Sequence, residues 1–420
     1  MTDLKIYQIG LGSFGRYGFE KLVEMHNHLE EADIELCGVA DRDFDRLEAA
    51  EKFASRNGIE LETFHTAREL YEAAEQEEGD IMIYGAGPSE VHAEHIHRSL
   101  ENGFYHLTEK PPSMTRDEHI REKELTRNSD VFYKVDFIER ESPVVLEALE
   151  LLEGEEIDSI KVFRESSAGA QKALQPVKRA GVKGGDVLDK MVHEVYVLDF
   201  LEAAGGEAEL ELKDARSDYF MPKSPGSERF MSLDGGVSKE LGPGTATAQT
   251  KAVFDSSGTR VELHSGWLGL SGEARDAAER IQEQVGEDVT ETGYKQAGES
   301  AFLDEEARFF IVEGSRTLSG DMLHKRLYDL ETGEELETAE LLHDQLYRVI
   351  EKAVLAATGK EGAEVDEKET DVFMNGIFDV RDRALGNAGG YLEELEKANS
   401  RLHEMTVDNT EVGEEEEVTA

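Results

Sequence analysis

Cysteine is nearly missing from this chain. The 420 residues contain one, Cys37, inside an apolar run from Ile34 to Ala40, so no disulfide can close within the chain and the thiol reads as a small core side chain. No apolar run approaches the roughly 20 residues that cross a bilayer. The N-terminus, Met1-Thr2-Asp3-Leu4, lacks a basic region leading into an apolar one. These absences predict a soluble cytoplasmic protein with no membrane partner. Positive charge is also scarce: 45 Lys and Arg stand against 93 Asp and Glu, a formal net charge of -48. Such a chain repels nucleic acid phosphates and anionic membranes, which excludes a nucleic acid partner. The acids are spread along the whole length and interleaved with apolar periodicity, so disorder does not explain them. They look like the surface of a protein adapted to a salt-saturated cytoplasm. What remains is ample for a packed interior: 39% hydrophobic residues with 18 Phe and 12 Tyr. At this length two domains with extras are expected.

Strands and helices alternate over the first third. Leu4 to Ile9 reads as a strand, followed at once by Gly10-Leu-Gly12-Ser13-Phe14-Gly15 and a helical stretch to about His28. Between a first strand and a first helix this glycine pattern points to a dinucleotide. The first glycine permits the turn, the second lets a pyrophosphate approach, and the third lets helix and strand pack closely. The next strand ends in Asp41, placed to accept from the ribose hydroxyls and to repel a 2′-phosphate. Arg42 beside it could instead receive that phosphate. The acid favours NAD, with NADP left open. Capping boxes at Thr66–Glu69 and Thr115–Glu118 open further helices, and strands are expected at Leu61 to Phe64, Asp80 to Tyr84, Tyr105 to Leu107 and Val131 to Asp136. The alternation predicts a parallel, doubly wound sheet.

Two clusters carry chemistry. The strand ending His106-Leu107-Thr108-Glu109-Lys110 stops at Pro111-Pro112, because proline fixes φ and cannot donate to the ladder. That holds Lys110 at a strand's carboxyl end, where ligands bind in open α/β sheets. Further on, Gly184-Gly185 opens a helix expected to run to about Ala204, with Asp189 and His193 four apart on one face. A carboxylate can fix an imidazole's tautomer and raise its basicity, as a general base needs. His92, His95 and His97 invite a metal, but their spacing spreads them over the helix and no cysteine joins them, so no metal is expected.

The later chain has a different texture. A loop rich in Gly, Lys and Gln spans Ser166 to Lys183. Strand-like runs follow at Glu209 to Leu212, Thr245 to Asp255, Thr259 to Gly266, Ala307 to Glu313 and Arg326 to Leu330. They suggest a mostly antiparallel sheet. Met221 to Gly244 reads as a long loop, Glu340 to Ala357 and Glu367 to Arg383 as helices, and the glutamate-rich end as a disordered tail. The expected divisions are 1–137 for the dinucleotide domain, 138–390 for a substrate-binding and oligomerisation domain, and 391–420 for the tail.

In order and spacing, four motifs resemble the Gfo/Idh/MocA family of oxidoreductases, the relatives of glucose-fructose oxidoreductase and inositol dehydrogenase. They are Gly10-x-Gly12-x-x-Gly15, Pro88-Ser-Glu-Val-His92, the stretch from Leu100 through Gly103 to Glu109-Lys110-Pro111, and Gly184-Gly185 leading to Asp189-x-x-x-His193. The resemblance implies a Rossmann domain followed by an α+β domain with a large open-faced sheet, and assembly as a homodimer or homotetramer. It implies NAD(P)-linked hydride transfer at a carbon bearing a hydroxyl, in a sugar, polyol or related molecule. Lys110, Asp189 and His193 fall on the family's catalytic positions. Gly10, Gly12, Ser13, Phe14, Gly15, Asp41, Arg42, Pro88, His92, Glu109 and Lys110 are the implied cofactor contacts. Asp186, where a third glycine is common, and Lys190 depart from the pattern and leave the substrate open. Two alternatives stand beside a dehydrogenase: a redox-neutral glycosidase that keeps NAD bound, and a non-catalytic cofactor sensor.

Overall fold

Hydrophobic runs that are buried on both faces set the first layer. The structure is a computed structural model that describes residues 4–166, 185–207, 209–224, 227–231, 246–267, 269–297, 300–360 and 367–387. Gly184, most of the loop expected over 166–183, part of the 221–244 loop and the tail lie outside the described residues. In chain order the first elements are β1 Leu4–Ile9, α1 Ser13–His28, β2 Ile34–Ala40, α2 Phe44–Arg56, β3 Glu62–Phe64, α3 Ala67–Ala74, β4 Ile81–Gly85, α4 His92–Glu101, β5 Tyr105–Thr108, α5 Arg116–Arg127 and β6 Tyr133–Val135. The six strands are parallel, in the order β3-β2-β1-β4-β5-β6. The order reverses between β1 and β4, and that switch point opens a crevice at the strands' carboxyl ends. Both capping boxes form as the sequence indicated, at Thr66 with Glu69 and at Thr115 with Glu118.

The chain continues through α6 Pro143–Leu152, β7 Ile157–Ser166, the short α7 Gly185–Asp189 and α8 Tyr196–Ala203. Then come β8 Glu211–Ser224, β9 Ser227–Met231, β10 Ala246–Ser256, β11 Thr259–Gly266, α9 Gly272–Val285, β12 Thr290–Ala297, β13 Ser300–Gly314, β14 Thr317–Asp321, β15 Arg326–Asp329, β16 Glu334–Leu336, α10 Gln345–Ala357 and α11 Glu367–Asn387. The second sheet has ten strands, in the order β16-β15-β14-β13-β7-β11-β10-β8-β9, with β12 also on β13. Among the described residues of this sheet only β7 and β11 pair in parallel, and the other pairs are antiparallel.

Several elements differ from the sequence reading. Residues 221–224 and 227–231 are not loop but the β8–β9 hairpin. Helix α9 has no counterpart among the expected elements, although Ser271 caps it and Gly286 closes it in the left-handed conformation. It lays Ala274, Ala278 and Ile281 on Phe163, Phe309 and Ile311, so the sheet expected to be open on its far face is covered over β7 and β13. Helix α10, distant in sequence from the first layer, buries Leu346, Tyr347, Ile350 and Val354 in the first sheet's core beside α1. The principal core runs from Ile96, Tyr133 and Val135 through Val187, Leu188, Met191, Val192 and Val195 to Phe310 and Phe373, so the two sheets share one interior. Among the described residues no helix is long and apolar enough to cross a membrane.

Candidate active site

The glycine loop is built as its spacing required. Gly10 has φ +92°, and a Cβ there would come within 2.5 Å of the Ala86 carbonyl oxygen. A Cβ on Gly15 would meet the Gly10 carbonyl oxygen at 2.3 Å, whereas one on Gly12 would meet nothing within 4 Å. The outer glycines therefore close the turn and Gly12 leaves room for a ligand. Gln8 braces the loop from beneath, donating to the carbonyls of Gly10 at 2.9 Å and Gly15 at 2.6 Å. Helix α1 begins at Ser13 and Phe14 with no side-chain cap and no acid in its first turn, so its N–H groups and positive end face an anion unopposed. At the end of β2 the Asp41 carboxylate accepts from the Leu11 N–H at 2.6 Å and the Asp43 N–H at 2.9 Å. Its neighbouring cation is Arg46, at 3.6 Å, while Arg42 is exposed beside it. A pyrophosphate and a ribose diol fit this cradle.

The next two motifs are tied to each other. Pro88 precedes a 3₁₀ turn that leads into α4, and His92 there is 2% exposed. Its Nδ1 lies 2.9 Å from the Pro111 carbonyl oxygen and its Nε2 3.0 Å from the Gly87 carbonyl oxygen. Burial holds the imidazole below its ordinary value, so the ring is neutral and one nitrogen donates to one of these carbonyls while the other only lies against the second; the ring still packs between the β4 and β5 turns. Glu109 is half-buried, with its Oε1 enclosed. Lys110 reaches across to the second part of the chain, where its ammonium donates to the Asp189 carbonyl and, at 3.3 Å, to Asp189 Oδ1.

The helix expected through Asp189 and His193 is broken. α7 ends at Asp189, a 3₁₀ turn covers Met191–Val195 with non-helical angles at Glu194, and only then does α8 begin. Tertiary contacts override the helical period. The Lys190 ammonium is anchored by the Ser166 hydroxyl at 2.7 Å and the Gly266 carbonyl at 2.6 Å. Glu194, 1% exposed, is drawn into an ion pair with Arg164. The regular i,i+4 pairing of Asp189 and His193 is accordingly not what the structure shows. Asp189 Oδ2 accepts from the Trp267 indole at 3.2 Å, its Oδ1 faces Lys110, and His193 Nδ1 is buried with no partner. Burial is the largest cause holding the His193 imidazole well below its ordinary value, followed by Lys110, Arg164, Arg308 and Lys190. The ring is therefore neutral near pH 7 and able to take a proton through Nε2, the nitrogen not buried. Burial also pushes Lys190 down to about 8, against the pull of Asp189 and Glu306.

The structure thus brings Lys110, Asp189 and His193 together at the carboxyl end of the first sheet, and the glycine loop to the switch point of the same sheet. It also adds residues the sequence did not single out. Trp267, the only tryptophan, directly follows β11 and donates to Asp189. Beneath His193, Arg164 bridges Glu194 and Glu139, the latter at 2.7 Å, and Arg308 stands 3.7 Å from Glu139. Charges within apolar strands were the available signal, but their partners lie 25 to 30 residues away and more. Asp186, which replaces a glycine common in the resembled family, is buried and accepts from Thr250 at 3.0 Å and Ser265 at 2.7 Å, so it fastens α7 to the sheet. Among the described residues no group of three or more His, Cys, Asp or Glu is placed to hold a metal ion.

Residues 4–137 match the Gfo/Idh/MocA family model, an oxidoreductase family with an NAD-binding Rossmann fold. The match covers the first sheet and the helices between its strands, and it stops before α6. No curated protein matches the chain. Among solved structures, UDP-N-acetylglucosamine 3-dehydrogenase GnnA from Acidithiobacillus ferrooxidans is 16% identical, with TM-score 0.60, covering 92% of this chain and 100% of that one. Myo-inositol 2-dehydrogenase from Lactobacillus plantarum is 13% identical, with TM-score 0.57 and coverage of 91% and 97%. Levoglucosan dehydrogenase, solved with NADH and L-sorbose, is 13% identical, with TM-score 0.60 and coverage of 92% and 98%. At these identities the likeness establishes a common fold over nearly the whole chain.

Proposed function

We propose that this chain, whose residues 4–137 are an NAD-binding Rossmann domain of the Gfo/Idh/MocA oxidoreductase family, is a dehydrogenase acting on a hydroxyl-bearing carbon of a sugar, polyol or related molecule. The observation that carries the reading is the meeting of Lys110 with Asp189 at the mouth of the cofactor crevice, beside a neutral, partly open His193. NAD held in this crevice would supply the hydride acceptor. The chain's own residues do the rest. The Gly10–Gly15 loop and the start of α1 hold the pyrophosphate, and Asp41 takes the ribose diol, which favours NAD over NADP. Pro88, His92 and Glu109 would line the nicotinamide end of the site. Lys110 donates to the substrate oxygen and stabilises the charge that develops as its proton leaves. His193 Nε2 takes that proton, as a positioned general base. Asp189 serves Lys110 more directly than His193, since its carboxylate is clamped between that ammonium and the Trp267 indole.

Residues 1–137 supply the cofactor half of this reading and 138–390 the substrate half, with a homodimer or homotetramer as the expected assembly and the acidic surface as an adaptation to high salt. The test is a panel of sugars, polyols and uronates incubated with NAD in molar KCl. Free NADH formed in proportion to oxidised product supports the proposal. Product formed without net NADH would assign the chain to redox-neutral chemistry instead. Binding of NAD with no turnover across the panel would leave a sensor.

A further inference from the structure

Lys190 has no part in the hydride chemistry, yet it stands in the same gap in the surface. From Gly185 to Leu198 every residue is buried except Asp189, Lys190 and His193, which are half-buried. Backbone bonds tie the three closely: the Lys190 N–H donates to the Asp186 carbonyl at 2.8 Å, and the His193 N–H to the Lys190 carbonyl at 3.0 Å. The Lys190 side chain runs to the carboxyl ends of β7 and β11, the parallel pair of the second sheet. There its ammonium donates to the Ser166 hydroxyl at 2.7 Å and the Gly266 carbonyl at 2.6 Å. Trp267, the next residue, donates to Asp189, so these strand ends and the Asp189 turn meet at one place.

Both acceptors of Lys190 are neutral. Among the described residues no carboxylate oxygen comes within ion-pair reach of it, in a chain with 93 Asp and Glu. The cations around it each have one: Lys110 pairs with Asp189 at 3.3 Å, Arg164 with Glu139 at 2.7 Å and Arg308 with Glu306 at 2.9 Å. An ammonium donates three hydrogen bonds, and this one makes two within the chain. A positive charge withdrawn from water without a close counter-charge is unfavourable until a partner completes it.

We propose that Lys190 binds a carboxylate of the substrate, so that the chain prefers an acidic sugar or polyol, a uronate or an aldonate, to its neutral counterpart. The proposal deepens the dehydrogenase reading and rests on it. The carboxylate takes the third ammonium proton and supplies the missing counter-charge. Held there at one end and by Lys110 at the reacting oxygen, the substrate is fixed at two points, which selects the hydroxyl that faces His193. A phosphate monoester fits less well. Its second charge calls for several donors, whereas this place offers one ammonium with Asp186 and Asp189 on α7, Glu165 on β7 and Glu306 on β13 acting on it from farther off, and Arg164 the nearest like charge.

The experiment measures kcat/KM of the full chain with NAD in 2 M KCl on matched substrates: glucose and glucuronate, galactose and galacturonate, glucitol and gluconate, with glucose 6-phosphate as the phosphate arm. In the pair it turns over best, wild type should favour the acid by about tenfold or more, the scale of one hydrogen bond to a charged group. Lys190→Met should abolish that preference, chiefly by raising KM for the acid, and Lys190→Arg should restore part of it. A lysine that only tethers the turn would lose acid and neutral substrates alike. That result overturns the proposal, as does a wild type that prefers the neutral member or the phosphate. Burial holds Lys190 down to about 8, while the sugar acids stay ionised, so the acid-to-neutral ratio in wild type should fall as pH rises through that value. His193 and the other groups acting on both substrates cancel in the ratio. This series decides the question where Lys190→Met does not fold, and a ratio flat from pH 6 to 9 overturns the proposal. The dehydrogenase reading fails separately, if no substrate yields NADH. In that case the Tm of the NAD-loaded chain decides the anion site: a larger rise with the acid than with its neutral counterpart, lost in Lys190→Met, upholds it, and equal shifts overturn it.

Discussion

Replacing Arg164 by methionine tests whether the turn under His193 is fixed by charge. Arg164 is 6% exposed, on β7, and its guanidinium pairs with Glu194 and, at 2.7 Å, with Glu139. Those carboxylates are 1% and 4% exposed. Burial pushes Glu139 up, but Arg164 and Arg308 outweigh it and hold the group below its usual range; burial raises Glu194 in spite of Arg164. Arg164→Met leaves both acids in the interior with only Arg308 nearby. Removing one partner of a buried ion pair costs about 3–5 kcal/mol. At about 2–4 °C per kcal/mol for a domain of 150–250 residues, the Tm should fall by roughly 6–20 °C at pH 8. The sign of the pH dependence follows from linkage. In wild type Glu139 stabilises above its unfolded pKa, and that contribution is lost as pH falls. In the variant both carboxyls are raised, and stability is lost as pH rises. The gap should therefore widen from pH 5 to pH 8. It should persist between 0.5 and 3 M KCl, because buried pairs are screened little. Adding Glu139→Gln and Glu194→Gln should recover at least half of the loss. A deficit under about 1 kcal/mol at pH 8 would show that packing, not this triad, sets the 3₁₀ turn.

Other consequences are measurable with the same material. His193→Ala should lower kcat by about 10²–10⁴ with NAD affinity nearly unchanged, and Asp189→Asn should do less; near-wild-type turnover in His193→Ala would refute the base assignment. Because His193 titrates well below its ordinary value, wild-type kcat/KM for oxidation should show no His193 limb between pH 6 and 8. Asp41→Ala should weaken NAD and relax the preference against NADP, measured by titration of both; wild-type binding of NADP at least tenfold tighter, about 1.4 kcal/mol, would sink the Asp41 assignment. Finally, Tm and activity should rise with KCl into the molar range, as the Debye length shrinks from about 10 Å at 0.1 M to about 3 Å at 1 M; a flat or falling Tm would contradict salt adaptation of the -48 surface.

The order of local signals was enough to determine the first layer. Glycine positions, capping boxes and strand runs act over a few residues, so Gly10, Gly12, Gly15, Thr66, Thr115 and the stop at Pro111 could be read directly, and the structure places them as read. The strand β5 leading to Lys110 and the motif carrying Asp189 and His193 are legible for the same reason. Their junction was not, because the Lys110–Asp189 pair spans 79 residues and depends on how two sheets share one core. The break between Asp189 and His193 was invisible for a related cause. The apolar period through Val187, Leu188, Met191, Val192 and Val195 is that of a continuous helix, and only Lys190 reaching Gly266 and Glu194 reaching Arg164 interrupt it. Helix α10 shows the same limit from the other side: its own sequence makes it an amphipathic helix, while its docking beside α1, more than 300 residues earlier, is decided by which apolar face was left uncovered. Backbone preference and side-chain period are properties of short segments. Which buried charge meets which, and therefore which carboxylate lies against Lys110 and which ring nitrogen of His193 is enclosed, is settled only when distant segments exclude water from the same space.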